Sequence, residues 1–209
     1  MEVDEIGSRT HYIKAKYKLH NTVNVIASDH FFYNAAIREV NLALVHRVVG
    51  AMSQKPIPLE GEQAYKTVVT DGKYAIIAVR TKRNEIILVN CLHFRNLKED
   101  HGMEIHKVKQ PNTRLVITRH FEERYKSRQI NLRLFETIDK QLAFAYPRDG
   151  YLVSDGKDSI LVNVTKQKTC VLVTCYENSI DDWEDFKFVR EHVKHENYKL
   201  KIPQAHKKG

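Results

Sequence analysis

The chain has 209 residues, 42% of them hydrophobic and 29% charged, and its formal net charge is +8. This length can bury one sizeable core or two small ones, and the excess of Lys and Arg favours an anionic partner, nucleic acid first, over charge that serves solubility alone. Its apolar runs are of strand length and are interrupted by charges, so we expect no membrane span or signal peptide and predict a cytoplasmic protein.

The first half of the chain predicts two helices followed by a hairpin and a further strand. Ser28 is the candidate N-cap of the first helix, and Asn41 is the candidate N-cap of the second. An Asp-Gly pair between two β-rich runs indicates a hairpin turn. In chain order, the predicted elements are a leading strand at 23–27, a helix over HFFYNAAIR at 30–38, a helix from residue 41, strands on either side of Asp71-Gly72, and a strand at 86–91.

The second half repeats this pattern in two gapless blocks. Residues 30–45 align with residues 120–135, and residues 71–91 align with residues 155–175. Agreement of two blocks in the same order predicts an internal duplication. In this half the predicted elements are a leading strand at 114–117, a helix from its N-cap Thr118 to Arg128, a helix from Asn131, strands on either side of Asp155-Gly156, and a strand at 170–176.

The predicted fold is therefore α+β, a tandem repeat of two units plus a C-terminal helix. Each unit is expected to pack two helices on a three- to four-stranded antiparallel sheet. The predicted divisions are a first unit at 1–94, a linker at 95–104, a second unit at 105–177, a C-terminal helix at 178–198 and a basic, mobile tail at 199–209.

Cysteine and histidine usage points to neither a disulfide scaffold nor a metal site. Cys91, Cys170 and Cys175 are few and odd in number, and we predict that they are reduced and buried in strands. The eleven histidines form no complementary set at metal-ligand spacing, and no Gly-rich phosphate loop occurs. We therefore expect neither a metal ion nor another cofactor.

The segment HFEERYKSR at residues 120–128 is the main candidate for chemistry. His120, Arg124 and Arg128 are spaced to lie along one side of a helix. Histidine can move a proton near neutral pH, and arginine can neutralise a phosphate in the transition state. These parts suit metal-independent RNA cleavage with the ribose 2′-OH as nucleophile. The alternative is structural, with His120 packing the helix end and Arg124 paired with a surface glutamate.

A family resemblance rests on the pattern H-x3-R-x3-R-x-I, followed by a helix and a three-stranded meander that ends in VTCY at residues 173–176. In these features residues 113–176 resemble the RelE/BrnT-like superfamily of small plasmid and phage proteins, many of which are toxin ribonucleases. Residues 22–94 share the resemblance only through the internal repeat. The resemblance implies a compact α+β fold and contact with RNA or the ribosome.

The resemblance also implies a catalytic role for His120, Arg124, Arg128 and Tyr176. The first copy departs from the pattern, because Asn34 and Leu92 occupy the positions of Arg124 and Tyr176. We therefore expect the second copy to carry any chemistry. The first copy is expected to be an architectural or RNA-binding partner in a pseudo-dimer within one chain.

Basic residues on the predicted hairpins occur at corresponding places in both copies and suggest one continuous surface for nucleic acid. Such turns are also commonly Lys-rich for solubility alone. The candidate nucleic-acid-binding residues are Arg38, Lys73, Arg80, Lys82, Arg83, Lys126, Arg133, Lys157, Lys166 and Lys168.

Three functions are open at this point. The first is a metal-independent endoribonuclease of phage or plasmid type, and the second is a non-catalytic protein that binds nucleic acid or the ribosome. The third is a viral inhibitor that binds a host protein, such as RNA polymerase or an RNA-processing enzyme, in the host cytoplasm. The basic charge favours an RNA-directed protein, with enzyme and binder left open.

Overall fold

The computed structural model describes residues 10–15, 23–60, 64–97 and 103–177. These residues form an α+β fold with two five-stranded sheets and four α-helices. The predicted C-terminal helix at 178–198 and basic tail at 199–209 lie outside the described residues. None of the four helices is long and apolar enough to cross a membrane.

The elements alternate between strands and helix pairs along the chain. The first half contains β1 (Thr10–Lys14), β2 (Asn24–Ala27), α1 (Phe31–Ile37), α2 (Leu44–Ser53), β3 (Tyr65–Thr70), β4 (Tyr74–Arg80) and β5 (Glu85–His93). The second half contains β6 (Glu104–Lys107), β7 (Arg114–Ile117), α3 (Arg119–Arg128), α4 (Leu134–Gln141), β8 (Gly150–Ser154), β9 (Asp158–Val164) and β10 (Thr169–Glu177). Short 3₁₀ turns follow β5 and α4 at Phe94–Asn96 and Leu142–Phe144.

The two sheets have matching strand orders, β2-β5-β4-β3-β6 in the first sheet and β7-β10-β9-β8-β1 in the second. Three central strands of each sheet form an antiparallel meander, and the two outer strands run parallel to their neighbours. This corrects the prediction of three- to four-stranded antiparallel sheets. For β2 with β5 and for β7 with β10, a long crossover that contains a helix pair allows the parallel pairing.

Each half of the chain contributes one edge strand to the sheet of the other half. β1 pairs with β8, with Lys14 opposite Ser154, and β6 pairs with β3, with Lys107 opposite Thr70. The predicted boundary at 95–104 therefore divides the chain but does not divide the two sheets. A further backbone hydrogen bond extends each pairing, from Ala15 to Ser154 and from Val108 to Thr70.

The Asp-Gly turns connect β3 to β4 and β8 to β9. Gly72 and Gly156 have φ values of 89° and 90°, in the left-handed region that glycine adopts without steric cost. The Asp71 carboxylate accepts hydrogen bonds from the backbone N–H groups of the next two residues after Gly72. Asp155 makes the same pair of bonds in the second turn. Local side-chain bonding thus determines both hairpins.

One hydrophobic core extends across both halves and includes helix and strand residues from each. At its centre the ring of Phe32 lies 5.8 Å from that of Phe121 and 4.8 Å from that of Tyr125. The Tyr125 hydroxyl also accepts a hydrogen bond from the Ala27 backbone N–H at 2.7 Å. Burial raises the pKa of Tyr125 against the opposing effect of this bond, so the phenol is neutral in the contact between the halves.

Two asparagines, which follow α1 and α3 respectively, join the halves reciprocally. The side-chain oxygen of Asn131 accepts from the Val25 N–H at 3.0 Å, and that of Asn41 accepts from the Leu115 N–H at 2.9 Å. Each asparagine thereby covers the outer edge of a strand, β2 or β7, that belongs to the other half. They were predicted to be N-caps of α2 and α4, which begin three residues later, at Leu44 and Leu134. Each asparagine instead caps the turn that leads into its helix, because its side-chain oxygen also accepts from the backbone N–H two residues on.

Candidate functional site

The helix α3 lies along the free edge of β10. β7 pairs only with Thr169–Leu172 of β10, which leaves the later part of that edge for α3. Thr118 is the N-cap of α3, because its hydroxyl accepts from the Phe121 N–H at 3.0 Å. The same hydroxyl lies 3.0 Å from the Val173 carbonyl, to which it can donate. At the other end of the helix, the Arg128 guanidinium donates to the Cys175 carbonyl.

The helix α1 is held against β5 by equivalent contacts. The Ser28 hydroxyl donates to the Val89 carbonyl at 2.8 Å, and the Arg38 guanidinium donates to the Cys91 carbonyl at 2.5 Å. Ser28 is therefore not the N-cap of α1, which begins after His30 and has no side-chain cap.

The terminal arginine of each segment thus has a structural role. Arg128 was assigned to catalysis and Arg38 to nucleic-acid binding, yet both guanidinium groups bind a carbonyl on the neighbouring strand. Phe31 is the first residue of α1 and aligns with Phe121 in the first turn of α3, and both rings are fully buried. The resemblance between the two segments is therefore explained in large part by packing and edge pairing.

The four predicted catalytic residues form two contacting pairs along the side where α3 lies beside β10. The Arg124 Nε donates to the His120 Nε2 at 3.4 Å, and both side chains are half-buried. The Arg128 guanidinium carbon lies 5.3 Å from the centre of the Tyr176 ring, within cation–π range. Burial raises the pKa of the adjacent Cys175 thiol to about 12, against the opposing effect of Arg128 and Arg124. Both guanidinium groups therefore act on the same part of β10.

This arrangement places a proton acceptor beside one cation and a phenol beside a second, with all four side chains partly exposed. An imidazole that accepts a hydrogen bond at Nε2 is neutral and carries its proton on Nδ1. The Arg124 guanidinium can neutralise a phosphate close to that imidazole, and the Tyr176 ring offers a face for stacking as well as an O–H group. We call His120, Arg124, Arg128 and Tyr176 the α3 cluster.

The first half has no equivalent of this cluster. His30 is exposed, and Asn34 replaces the guanidinium that Arg124 supplies. The Asn34 side chain donates to the Asn90 side-chain oxygen at 3.0 Å, and Arg38 donates to the same oxygen at 3.1 Å. At the aligned positions of the first half, Asn34 and Leu92 therefore provide neither the second cation nor the phenol.

Arg80 does not belong to the basic surface. Its side chain is 5% exposed and donates to the Met52 carbonyl at 2.6 Å, to the Lys55 carbonyl, and to the Asn84 side chain at 2.8 Å. Burial also lowers the pKa of its guanidinium. Arg80 therefore binds the C-terminal end of α2, and the prediction that it binds nucleic acid is corrected.

The other predicted basic residues differ in their surroundings. Lys126 forms an ion pair with Glu122 at 2.8 Å, and Arg133 is partly buried, 3.7 Å from Glu136. The Lys73 ammonium lies 4.9 Å above the Tyr74 ring. The exposed basic residues among those predicted are Lys73, Lys82, Arg83, Lys126, Lys157, Lys166 and Lys168.

These residues do not make one continuous surface along each hairpin. Lys73 and Lys82 flank opposite ends of β4, and Lys157 and Lys166 flank opposite ends of β9. A seven-residue strand is roughly 20 Å long. The expected single basic stripe is therefore divided between the two ends of each sheet.

The segment FAYPR between α4 and β8 was not predicted as a functional feature. Its Phe144 and Tyr146 are 88% and 72% exposed, and Arg148 is exposed beside them. Aromatic residues interleaved with Pro and Arg immediately after a helix were the available sequence signal, since loop residues are usually polar.

The three cysteines are unpaired and buried, and burial raises the pKa of each thiol to about 12. Within the described part of the chain, no group of three or more His, Cys, Asp or Glu side chains could hold a metal ion.

Comparison of the chain with protein-family models, curated proteins and solved structures found no match.

Proposed function

We propose that the protein binds RNA and that the α3 cluster forms part of the contact surface. The observation that carries this proposal is two partly exposed contacts between α3 and its surroundings, Arg124 with His120 on the helix and Arg128 with the ring of Tyr176 on β10. Guanidinium groups bind phosphates and stack on bases, and aromatic rings stack on unpaired bases. The net charge of +8 supports an anionic partner.

The second candidate is metal-independent RNA cleavage in the second half, and the contact between His120 and Arg124 favours it. In this reaction Arg124 turns from His120 to the phosphate, and the ribose 2′-OH attacks the adjacent phosphorus while the released His120 Nε2 accepts its proton. Arg124 neutralises the additional charge on the phosphate oxygens. The bond to the 5′-oxygen breaks, and Tyr176 or a water molecule gives that oxygen a proton. The products are a 2′,3′-cyclic phosphate and a 5′-hydroxyl.

We also propose that the chain is a tandem duplication, which forms a pseudo-dimer of two related units. The matching strand orders support this, as do left-handed residues at corresponding positions. Glu39 and Gln129 have φ values of 51° and 47°, and Asn84 and Lys168 both have 58°. A relationship to the RelE/BrnT-like superfamily, and with it an origin in a phage or plasmid, is proposed on the helix motif and the VTCY segment alone.

The proposed place of action is the cytoplasm, where RNA and ribosomes are available. The three cysteines are unpaired, as is usual in a reducing compartment.

The decisive experiment incubates the purified protein with labelled single-stranded and structured RNA in a chelator, and reads cleavage and binding together. We expect salt-dependent binding by the wild type. His120→Ala and Arg124→Asn, the latter introducing the residue type that the first half has at this position, should reduce cleavage by about 100-fold or more. His30→Ala is the matched control and should leave cleavage unchanged.

Each result assigns a different function. Binding without cleavage would exclude the nuclease candidate and leave a non-catalytic RNA-binding protein. Absence of binding to every RNA tested would overturn the proposal, and a pull-down would then test for a host protein as the target. Circular dichroism of each variant must match the wild type, so that a loss of activity reports on the α3 cluster rather than on folding.

A further inference from the structure

The loop between α4 and β8 holds two aromatic rings in solvent. Phe144 and Tyr146 are 88% and 72% exposed, while Ala145 between them is 8% exposed and packs into the core. Large aromatic side chains are strongly favoured in cores and interfaces, whereas these two are exposed in the same short loop. The fold itself therefore gives no reason for either ring.

The backbone beneath these rings is anchored on both sides. The Tyr146 N–H donates to the Tyr151 hydroxyl at 3.0 Å, and the Arg148 N–H donates to the Val164 carbonyl at 2.7 Å. The Asp149 carboxylate lies 2.7 Å from the imidazole Nε2 of His11, which ties the loop to β1 as well. Because the backbone that carries the two rings is already ordered by these bonds, little further backbone entropy is lost when the rings bind a ligand.

Positive charge lies on the same side of the second sheet. The hydrogen bond between Arg148 and Val164 places the loop beside the turn that connects β9 to β10. That turn carries the exposed Lys166 and Lys168, and Arg148 is itself exposed. The nearby Asp149 carboxylate is engaged by His11. Aromatic rings next to clustered cations are the combination found in single-strand binding grooves.

We propose that Phe144 and Tyr146 form a base-stacking platform for single-stranded RNA, with Arg148, Lys166 and Lys168 holding the phosphates. This inference rests on the proposed RNA-binding function and specifies the form of the RNA. Bases must be unpaired to stack on the rings, whereas the cations attract the backbone of any nucleic acid. The α3 cluster lies at the far end of β10, so the platform is a second contact region.

The first half provides an internal comparison. Its corresponding loop, between α2 and β3, exposes Ile57 at 43% and Leu59 at 70%. Aliphatic side chains offer apolar area but no ring face on which a base can stack. A substitution at Leu59 therefore controls for the loss of exposed apolar surface alone.

The test measures the dissociation constant for an unstructured, fluorescently labelled RNA 12-mer and for the same sequence as a duplex, by anisotropy at several salt concentrations. The double variant Phe144→Leu/Tyr146→Leu keeps apolar side chains and removes the rings. We expect it to bind the single strand about tenfold more weakly, with little change for the duplex and an unchanged salt slope. The Leu59→Ala control should bind both RNAs as the wild type does.

The charge component has its own variant, Lys166→Ala/Lys168→Ala. It should weaken binding of both RNAs. The slope of log affinity against log salt concentration should become shallower by the amount that corresponds to about two phosphate contacts. All the substituted side chains are exposed, and unchanged thermal unfolding will show that the variants are folded.

The outcomes separate this inference from the function on which it rests. If the wild type binds no RNA, the proposed function fails and the platform fails with it. If the wild type binds single strands and the double-leucine variant binds equally well, only the platform is overturned. An equal loss of affinity for single strand and duplex would also overturn stacking. If RNA affinity is unchanged and light scattering shows that the variant no longer self-associates, the rings belong to a protein interface instead.

Discussion

Arginine residues in this protein serve two different purposes, and burial separates them. Arg38, Arg80 and Arg128 each donate to backbone carbonyl groups and hold a helix against a strand or turn. Arg83 is exposed in a turn, where its charge is available to a partner. Exposed residues such as Arg83 therefore supply long-range attraction to nucleic acid, while Arg128 combines its structural contact with a place in the α3 cluster.

Replacement of Arg80 by methionine tests this distinction. The change keeps much of the side-chain volume but leaves the Met52 and Lys55 carbonyl groups without their donor. We expect the free energy of unfolding to fall by roughly 2–4 kcal/mol in chemical denaturation. Arg83→Met is the control and should change it by less than about 0.5 kcal/mol. Equal stability of the two variants would contradict the structural role of Arg80.

At the scale of elements, the exchange of edge strands determines how the sheets end. β1 closes the β8 edge of the second sheet, and β6 closes the β3 edge of the first. Along β1, Tyr12 packs against Leu152, Leu161 and Val173 on one face of the sheet, while Ile13 packs on the main core at the other face. Without β1, both the edge of β8 and this apolar surface would be exposed.

Deletion of residues 1–14 should therefore destabilise the protein and promote self-association. Lost burial of Ile13 and Tyr12 alone predicts a decrease of at least about 2 kcal/mol in the free energy of unfolding, and an open strand edge is a template for further pairing. Deletion of residues 1–9, which stops before β1, is the matched control. Denaturation and size-exclusion chromatography provide the readout, and a 15–209 chain that matched the control in both would refute the role assigned to β1.

At the scale of the whole molecule, the halves depend on each other. They share the hydrophobic core, exchange β1 and β6, and are joined by the reciprocal bonds of Asn41 and Asn131. The connection is thus much more extensive than a linker between two independent domains would provide.

Fragments divided after residue 97 should consequently fail to fold separately. Fragment 1–97 contains β1 but lacks β6, and fragment 98–209 contains β6 but lacks β1. We expect neither fragment alone to show a cooperative thermal transition by circular dichroism, and an equimolar mixture to recover one. The intact chain should unfold in a single transition by circular dichroism and tyrosine fluorescence. A cooperative transition in isolated 98–209 would show that the second half is a self-sufficient domain.

The sequence by itself determined those features that depend on neighbouring residues. The Asp-Gly hairpins and the Thr118 cap are formed by side chains that bond within three positions along the chain, so their residue types predict them. The grouping of His120, Arg124 and Arg128 on one helix side likewise follows from helical spacing.

Only the tertiary structure decided the contacts between distant residues. Parallel pairing of β1 with β8 leaves no turn signal in the sequence, because 135 residues separate Lys14 from Gly150. Other apolar strands could also pair with that edge of β8, so the sequence pattern does not identify β1 as its partner. The contact of Arg128 with Tyr176 and the burial of Arg80 also depend on packing partners far along the chain. Propensity and periodicity depend only on a residue's neighbours in sequence. The strand pairing, the Arg128 contact and the burial of Arg80 depend instead on the free energy of packing distant segments into one shared core.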